Sequence, residues 1–396
     1  MARRVLAIDG GAPIRPEPLP YGRHWIEEQD IDAVAAALRS AWLTGGPRVA
    51  EFETAFAASV GARHAVAFSS GTAGLHAAAF AAGLDATSEA ITTPLTFCAT
   101  ANAVLYRSAR VRFADVDLGT LLIDPACVER LVNERTRALL PVDYAGQAAD
   151  LSALMELARA RDLVVIEDAC QALGATHRDR PVGTLAHMTV FSLHPVKHLT
   201  TGEGGMVTTE SEVFAQRLRL FRNHGIDAAA RERSGTDWYY EMQELGFNYR
   251  LSDFACALGT SQLPRVARLL ERRREIAASY ADRLAKLPAV LLPAEPEAGQ
   301  GSWHLYPIRL RLEMLRADRD TVLRALRAEN IGAAVHFIPV HFHPYYARLG
   351  FERGICPIAE GAYLELISLP IFPAMDESDV DDVVTALHDV LEQHAR

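Results

Sequence analysis

At 396 residues, with 49% hydrophobic and 23% charged side chains, the chain has the length for two or three domains and the make-up of a globular protein. That excludes a small stapled scaffold and a mostly disordered polymer. A formal net charge of −10 argues against nucleic acid as a partner, while leaving room for a local basic site that receives a phosphate or a nucleotide.

From about residue 60 to about residue 250, short apolar strands alternate with helical patterns, the βαβ rhythm of a mainly parallel sheet covered on both faces. The strands are expected over 64–68, 90–93, 111–114, 138–142, 163–166, 189–192 and 206–208. An alanine-rich helix over 72–82 ends at Gly83, and another covers 99–106. Past Arg250 the pattern turns helical from Ser252 to about Leu287, with a break expected at Pro264, which has no N–H to donate. Residues 292–301, rich in Pro, Glu and Gly, read as an exposed connection. A strand over 306–310, a helix over 321–329, a strand-like stretch Ala334-Val335-His336-Phe337 and a helix from Glu377 to Glu392 form a smaller α+β unit. The fold class is therefore α/β. The expected division is residues 1–250, an N-terminal arm with the large sheet domain, and residues 251–396, the small domain.

Cys98, Cys127, Cys170, Cys256 and Cys356 are scattered with no C-x-x-C pair, so neither a disulfide framework nor a zinc ribbon is indicated. Met1-Ala2-Arg3-Arg4-Val5-Leu6-Ala7-Ile8-Asp9 reaches an aspartate before a signal-peptide core could form. No apolar run approaches the roughly 18 residues of a membrane span. A cytoplasmic enzyme with reduced thiols and no membrane partner is expected.

The chemistry concentrates at strand ends, where ligands collect in open α/β sheets. Lys197 follows the strand ending in Phe191-Ser192 and precedes the turn Thr200-Thr201-Gly202-Glu203-Gly204-Gly205. A lysine placed beside such a close-approach turn suits a covalent aldehyde cofactor, pyridoxal phosphate, as its Schiff-base partner. Asp168, closing the strand through Val165-Ile166, would sit under the pyridine nitrogen and keep it protonated; a structural carboxylate is the alternative. Gln171 could reach the phenolic oxygen or be a surface amide, and Phe97 could stack on the ring or be core. Ser69-Ser70-Gly71-Thr72 joins a strand to a helix and could receive the phosphate at the helix N-terminus, although the same residues make an ordinary cap. No G-x-G-x-x-G fingerprint is present there, which speaks against a nicotinamide enzyme. His336, His341 and His343 lack the cysteine or carboxylate spacing that would complete a zinc site, so no metal is expected, and alternation along a strand explains them equally well. Arg272-Arg273-Arg274 reads as a solvated helix face.

Taken in order, Ser70-Gly71-Thr72, Glu167-Asp168-Ala169-Cys170-Gln171, Phe191 to Lys197, Gly202 to Gly205 and Gly246-Phe247-Asn248-Tyr249-Arg250 resemble the DegT/DnrJ/EryC1/StrS sugar-nucleotide aminotransferases, enzymes of the aspartate-aminotransferase-like fold type I. The resemblance runs from Pro20-Tyr21-Gly22-Arg23 to the last helix. It implies that Gly71 is a cofactor-binding residue and that Thr72, Ser192 and Asn248 hold the cofactor phosphate, Asn248 coming from the partner subunit of a homodimer with shared sites. It further implies that Phe97 stacks on the ring, Asp168 pairs with N1, Gln171 meets the phenolic oxygen and Lys197 carries the Schiff base. Within the family, the stretches 194–205 and 238–246 are most similar to the branch serving pseudaminic acid biosynthesis. That likeness implies L-glutamate as donor and UDP-2-acetamido-2,6-dideoxy-β-L-arabino-hexos-4-ulose as acceptor. Tyr21, Ala41, Trp42, Leu43, Thr44, His336, Phe337, Ile338 and Pro339 would then be substrate contacts; Leu43-Thr44-Gly45-Gly46-Pro47 departs from the family pattern. Rival readings are an aminotransferase for another nucleotide-linked keto sugar, a pyridoxal-phosphate-dependent sugar dehydratase, which has His where this chain has Lys197, and a non-catalytic binding protein on the same fold.

Overall fold

The computed structural model describes residues 4–227, 230–296 and 299–396. Part of the signal-peptide reading (residues 1–3) and Glu297 and Ala298 of the expected connection lie outside the described residues. Seven strands build the central sheet: β1 (His64–Phe68), β2 (Glu89–Thr92), β3 (Arg110–Phe113), β4 (Thr136–Leu140), β5 (Val164–Asp168), β6 (Met188–Ser192) and β7 (Gly205–Thr209). Their order is β1-β7-β6-β5-β4-β2-β3. β7 is antiparallel to both its neighbours and the remaining pairings are parallel. The sheet is buried on both faces: Val66 and Phe68 join the core on one side, Ala65 and Ala67 the core on the other. This is why its strands read as continuous apolar runs.

Helix α1 (Gly71–Ala81) leaves β1 with Ser70 as N-cap, whose side chain accepts from the backbone N–H of Ala73 at 3.1 Å. Helix α2 (Ala99–Leu105) follows β2. Past Arg250, α3 (Asp253–Gln262) and α4 (Val266–Leu284) are separated by a 3-10 turn at Leu263–Arg265, the break expected from Pro264. A second sheet, β8 (Val290–Leu291), β9 (Tyr306–Leu310) and β10 (Leu366–Leu369), is antiparallel throughout. Its core also takes Ile276 and Tyr280 of α4, Val322 and Leu326 of α5 (Arg319–Ala328), and Val380 and Leu387 of α6 (Glu377–Gln393). Leu6 and Leu19 of the N-terminal segment pack into the same core.

Two expectations are corrected here. Ala334 to Phe337 is not a strand: Ala334 makes one isolated bridge to Ser368, after which the chain leaves the sheet and Val340 donates to the Pro94 carbonyl at 2.9 Å. The histidines therefore do not alternate along a ladder. Nor is the arginine run a solvated face. Successive helical residues are turned by about 100°, so three in a row cannot share a face, and Arg273 lies on the stripe of Leu269, Leu270, Ile276, Ala277 and Tyr280, 1% exposed.

Candidate active site

The register of the sheet assembles a cradle. Gly205, opening β7, stands opposite Phe68, closing β1, and opposite Ser192, closing β6. Three chain ends thus meet at one edge. A Cβ on Gly205 would lie 2.4 Å from the Ser70 carbonyl oxygen, and one on Gly71 would lie 3.1 Å from Cys170 Sγ and 3.2 Å from Ser192 Cβ. Glycine at 205 lets the N-terminus of α1 lie against β7, and glycine at 71 keeps it close to the ends of β6 and β5. The result gathers the first amides of an 11-residue helix, the partly exposed Thr72 and the partly exposed Ser192, an arrangement suited to a phosphate.

Asp168, at the end of β5, is 5% exposed and both carboxylate oxygens are engaged: Thr100 Oγ1 donates to Oδ2 at 2.6 Å and the Cys170 N–H to Oδ1 at 3.1 Å. Gln171 Oε1 accepts from the Ala145 N–H at 2.9 Å, which leaves its amide NH2 as the free donor. Behind Asp168, Glu167 accepts from Thr189 Oγ1 at 2.6 Å, while its other oxygen and Asp143 Oδ2 are buried with no other partner. Burial and the repulsion between the two carboxyls push Asp143 well up, and burial pushes Glu167 up to about 7.

The loop after β6 is tied down by the Leu193 N–H to the Gly204 carbonyl and the Thr201 N–H to the Leu193 carbonyl, at 2.9 and 3.0 Å. It presents Lys197, whose Nζ lies 3.1 Å from His304 Nε2. Burial lowers the lysine, Cys170 and Asp168 oppose that, and the Arg273 charge adds to it. An amine whose charge is disfavoured by burial, near a carboxylate and an anion cradle, is what pyridoxal phosphate requires, so the residues present fit that cofactor.

Of the expected substrate contacts, Tyr21, His336 and Phe337 come together beside Lys197. The Tyr21 and His336 rings lie 5.3 Å apart, His336 Nδ1 meets Ser368 Oγ at 2.9 Å, and the His336 carbonyl accepts from Tyr144 at 2.6 Å. Burial above all lowers His336 to about 4, leaving it neutral. Phe337 faces Phe97 at 6.4 Å, and Phe97 is 60% exposed, a ring face open for stacking. Ile338 is exposed and Pro339 buried. Ala41, Trp42, Leu43 and Thr44 are all exposed and tied instead to the start of α3, where the Asp253 N–H donates to the Leu43 carbonyl at 2.9 Å. Asn248 is also exposed, bridged to Asn223. None of the described hydrogen bonds or ring contacts of these five residues reaches Lys197 or Asp168. His341 pairs with Glu360 at 2.9 Å, and no group of three or more metal-ligating side chains occurs among the described residues. Thr100, Tyr144, His304 and Arg273 were not foreseen. The one local hint was a histidine among aromatics in Trp303-His304-Leu305-Tyr306 at a strand start.

Comparison with known proteins gives concordant matches. The model of the DegT/DnrJ/EryC1/StrS aminotransferase family matches residues 24–388. The spore coat polysaccharide biosynthesis protein SpsC of Bacillus subtilis is 41% identical over 377 residues, 94% of this chain and 97% of that protein. The UDP-4-amino-4-deoxy-L-arabinose–oxoglutarate aminotransferase of Shewanella sediminis is 37% identical, over 95% of this chain and 98% of its own. The structure of Helicobacter pylori PseC, an aminotransferase involved in the biosynthesis of pseudoaminic acid, superposes with a TM-score of 0.89 at 30% identity, covering 95% of this chain and 100% of that one.

Proposed function

Because the chain belongs to the DegT/DnrJ/EryC1/StrS aminotransferase family, we propose that it transfers the amino group of L-glutamate to the C4 ketone of a UDP-linked 4-keto-6-deoxy sugar. Its cofactor is pyridoxal phosphate and it is a sugar aminotransferase. The acceptor we favour is UDP-2-acetamido-2,6-dideoxy-β-L-arabino-hexos-4-ulose, in pseudaminic acid biosynthesis. PseC supports the acceptor, through the pathway in its name; the Shewanella enzyme, which acts on another sugar, supports the UDP linkage and the donor, its name pairing a UDP-4-amino sugar with oxoglutarate, the keto acid left when glutamate gives up its amine.

The observation that carries this reading is the convergence of the Lys197 amine and the doubly held Asp168 carboxylate beside the Gly71–Ser192–Gly205 cradle. When bound, the cofactor supplies an electron sink and carries the amino group between the two substrates. The chain does the rest. Lys197 Nζ would take a proton from the donor Cα and return one at the sugar C4; Asp168 would hold the proton on the pyridine nitrogen; the cradle amides with Thr72 and Ser192 would bind the phosphate. Gln171 would donate to the phenolic oxygen, Phe97 would cover one ring face, and Tyr21, His336 and Phe337 would wall the sugar side. A lysine at 197 favours transamination over dehydration.

The proposal includes a two-fold dimer in the cytoplasm whose sites are shared through Asn248. Exposed Trp238, Tyr240 and Leu245, 76%, 63% and 75% accessible, are the apolar surface a partner would cover. It also includes the division of the chain at 250/251; the separate core around β9 and β10 supports a second unit, which Leu6 and Leu19 join, while Leu251, Ala255 and Cys256 pack with the large sheet.

The test is turnover of L-glutamate with a panel of UDP-linked 4-keto sugars, products identified by mass spectrometry. Amination of the L-arabino-configured substrate above all others is expected. A preference for another 4-keto sugar would overturn the acceptor, and no reaction with any would overturn the activity.

A further inference from the structure

We propose that His304 is a positioning residue for the reacting amine: it donates its Nε2–H to Lys197 Nζ and so orients the lone pair of a neutral lysine. The inference rests on the reading of Lys197 given above.

Three observations carry it. His304 is 6% exposed and its Nε2 lies 3.1 Å from Lys197 Nζ, while its Nδ1 is buried without any partner. A buried N–H with no acceptor is rarer and more costly than an unused lone pair, so the ring proton belongs on Nε2 and Nδ1 is bare. An Nε2–H can only meet a nitrogen that offers a lone pair. An ammonium would set N–H against N–H.

The third observation is Arg273, 1% exposed and with no carboxylate within 4 Å among the described residues. It donates to the carbonyls of Trp303 at 3.1 Å, His304 at 3.4 Å and Ile371 at 2.9 Å. The guanidinium therefore fixes the backbone that carries the imidazole, and its unmatched charge opposes a second cation close by. Every element packed here agrees except one. His198, held by the Ser302 carbonyl at 3.1 Å, and His336 are neutral neighbours; Asp168 and Cys170, at the end of β5, face Lys197 with the opposite tendency. Asp168 is occupied by Thr100 and the Cys170 N–H, and burial keeps Cys170 a thiol. Burial and the Arg273 charge keep His304 itself from becoming an imidazolium.

The test uses the full-length chain stripped of pyridoxal phosphate. Acylation of Lys197 by acetic anhydride is followed by peptide mass spectrometry as a function of pH in the parent, His304→Phe, His304→Leu and His304→Gln, each checked for a cooperative melt. Loss of one donor to the neutral amine should move the labelling midpoint upward and slow labelling near neutral pH by about three- to tenfold in the Phe and Leu variants. Gln, which keeps a donor, should recover most of the rate. His304→Leu carries the comparison if the larger Phe fails to fold. Labelling at the parent midpoint in the apolar variants, or a midpoint moved downward, overturns the proposal. Borohydride trapping of pyridoxal phosphate in the parent separates this from failure of the functional reading. Trapping at a residue other than Lys197 sinks both, whereas trapping at Lys197 with unchanged labelling in the variants sinks only the role of His304.

Discussion

Thr100 Oγ1, one residue into α2, donates to Asp168 Oδ2 at 2.6 Å across the buried edge of the sheet. The same hydroxyl lies 2.8 Å from Thr96 Oγ1. One hydrogen bond thus ties the segment after β2 to the end of β5 and holds the Asp168 carboxylate in one orientation.

Thr100→Val keeps the shape and removes this bond. A net hydrogen bond to a charged group is worth roughly 1.5–3 kcal/mol, so the glutamate half-reaction should slow by about ten- to a hundredfold with a modest fall in Tm. Stopped-flow absorbance and a thermal melt read both. Asp168→Asn sets the lower limit, because it removes the charge altogether. A Thr100→Val rate equal to the parent would mean that the carboxylate is held well enough by the Cys170 N–H alone.

Lys197→Ala removes the only amine at the site's centre without touching the ties of its loop, which run through Leu193, Thr201 and Gly204. The variant should melt within a few degrees of the parent and lose turnover by orders of magnitude. Borohydride treatment should leave no lysine adduct. Turnover at the parental rate would assign the covalent role to another residue.

How far the sequence foretold this site depends on whether a feature is local. Strands, α1, the Pro264 break and the convergence of Lys197 with Asp168 follow from periodicity and from the rule that strand ends gather ligands, both readable over a dozen residues. Thr100, His304 and Arg273 were not legible, since their roles come from partners 68, 107 and 98 positions away in the chain. Arg273 was misread because composition describes a run, whereas burial is decided residue by residue around the helix. Ala334–Phe337 looked like a strand for a related reason: its leaving the ladder is set by the tie from Val340 to Pro94.

The raised carboxyl of Glu167 predicts a pH dependence of stability. Glu167 is raised in the folded protein, from an ordinary 4.5 up to about 7. Its contribution is therefore fully present below the unfolded value and lost as pH rises through the folded one. Tm of the parent should fall between about pH 5 and about pH 8 by more than that of Glu167→Gln, which has one titrating carboxyl fewer there. Parallel curves for the two proteins would place the proton elsewhere.

The last prediction concerns Asn248, exposed in the single chain although its neighbour is tied into the cradle, the Tyr249 carbonyl accepting from the Ser69 N–H at 2.8 Å. If it serves the partner's phosphate site, each active site takes Lys197 from one chain and Asn248 from the other. Asn248→Asp sets a carboxylate against the phosphate and should abolish activity, as should Lys197→Ala. In a heterodimer of the two, one site carries both defects and the other neither. Mixed and refolded chains should therefore regain roughly a quarter of parental activity, since about half the dimers are mixed and each has one intact site of two. A verified heterodimer with no activity, both single variants being folded, would return Asn248 to its own subunit's site and remove the argument for sharing.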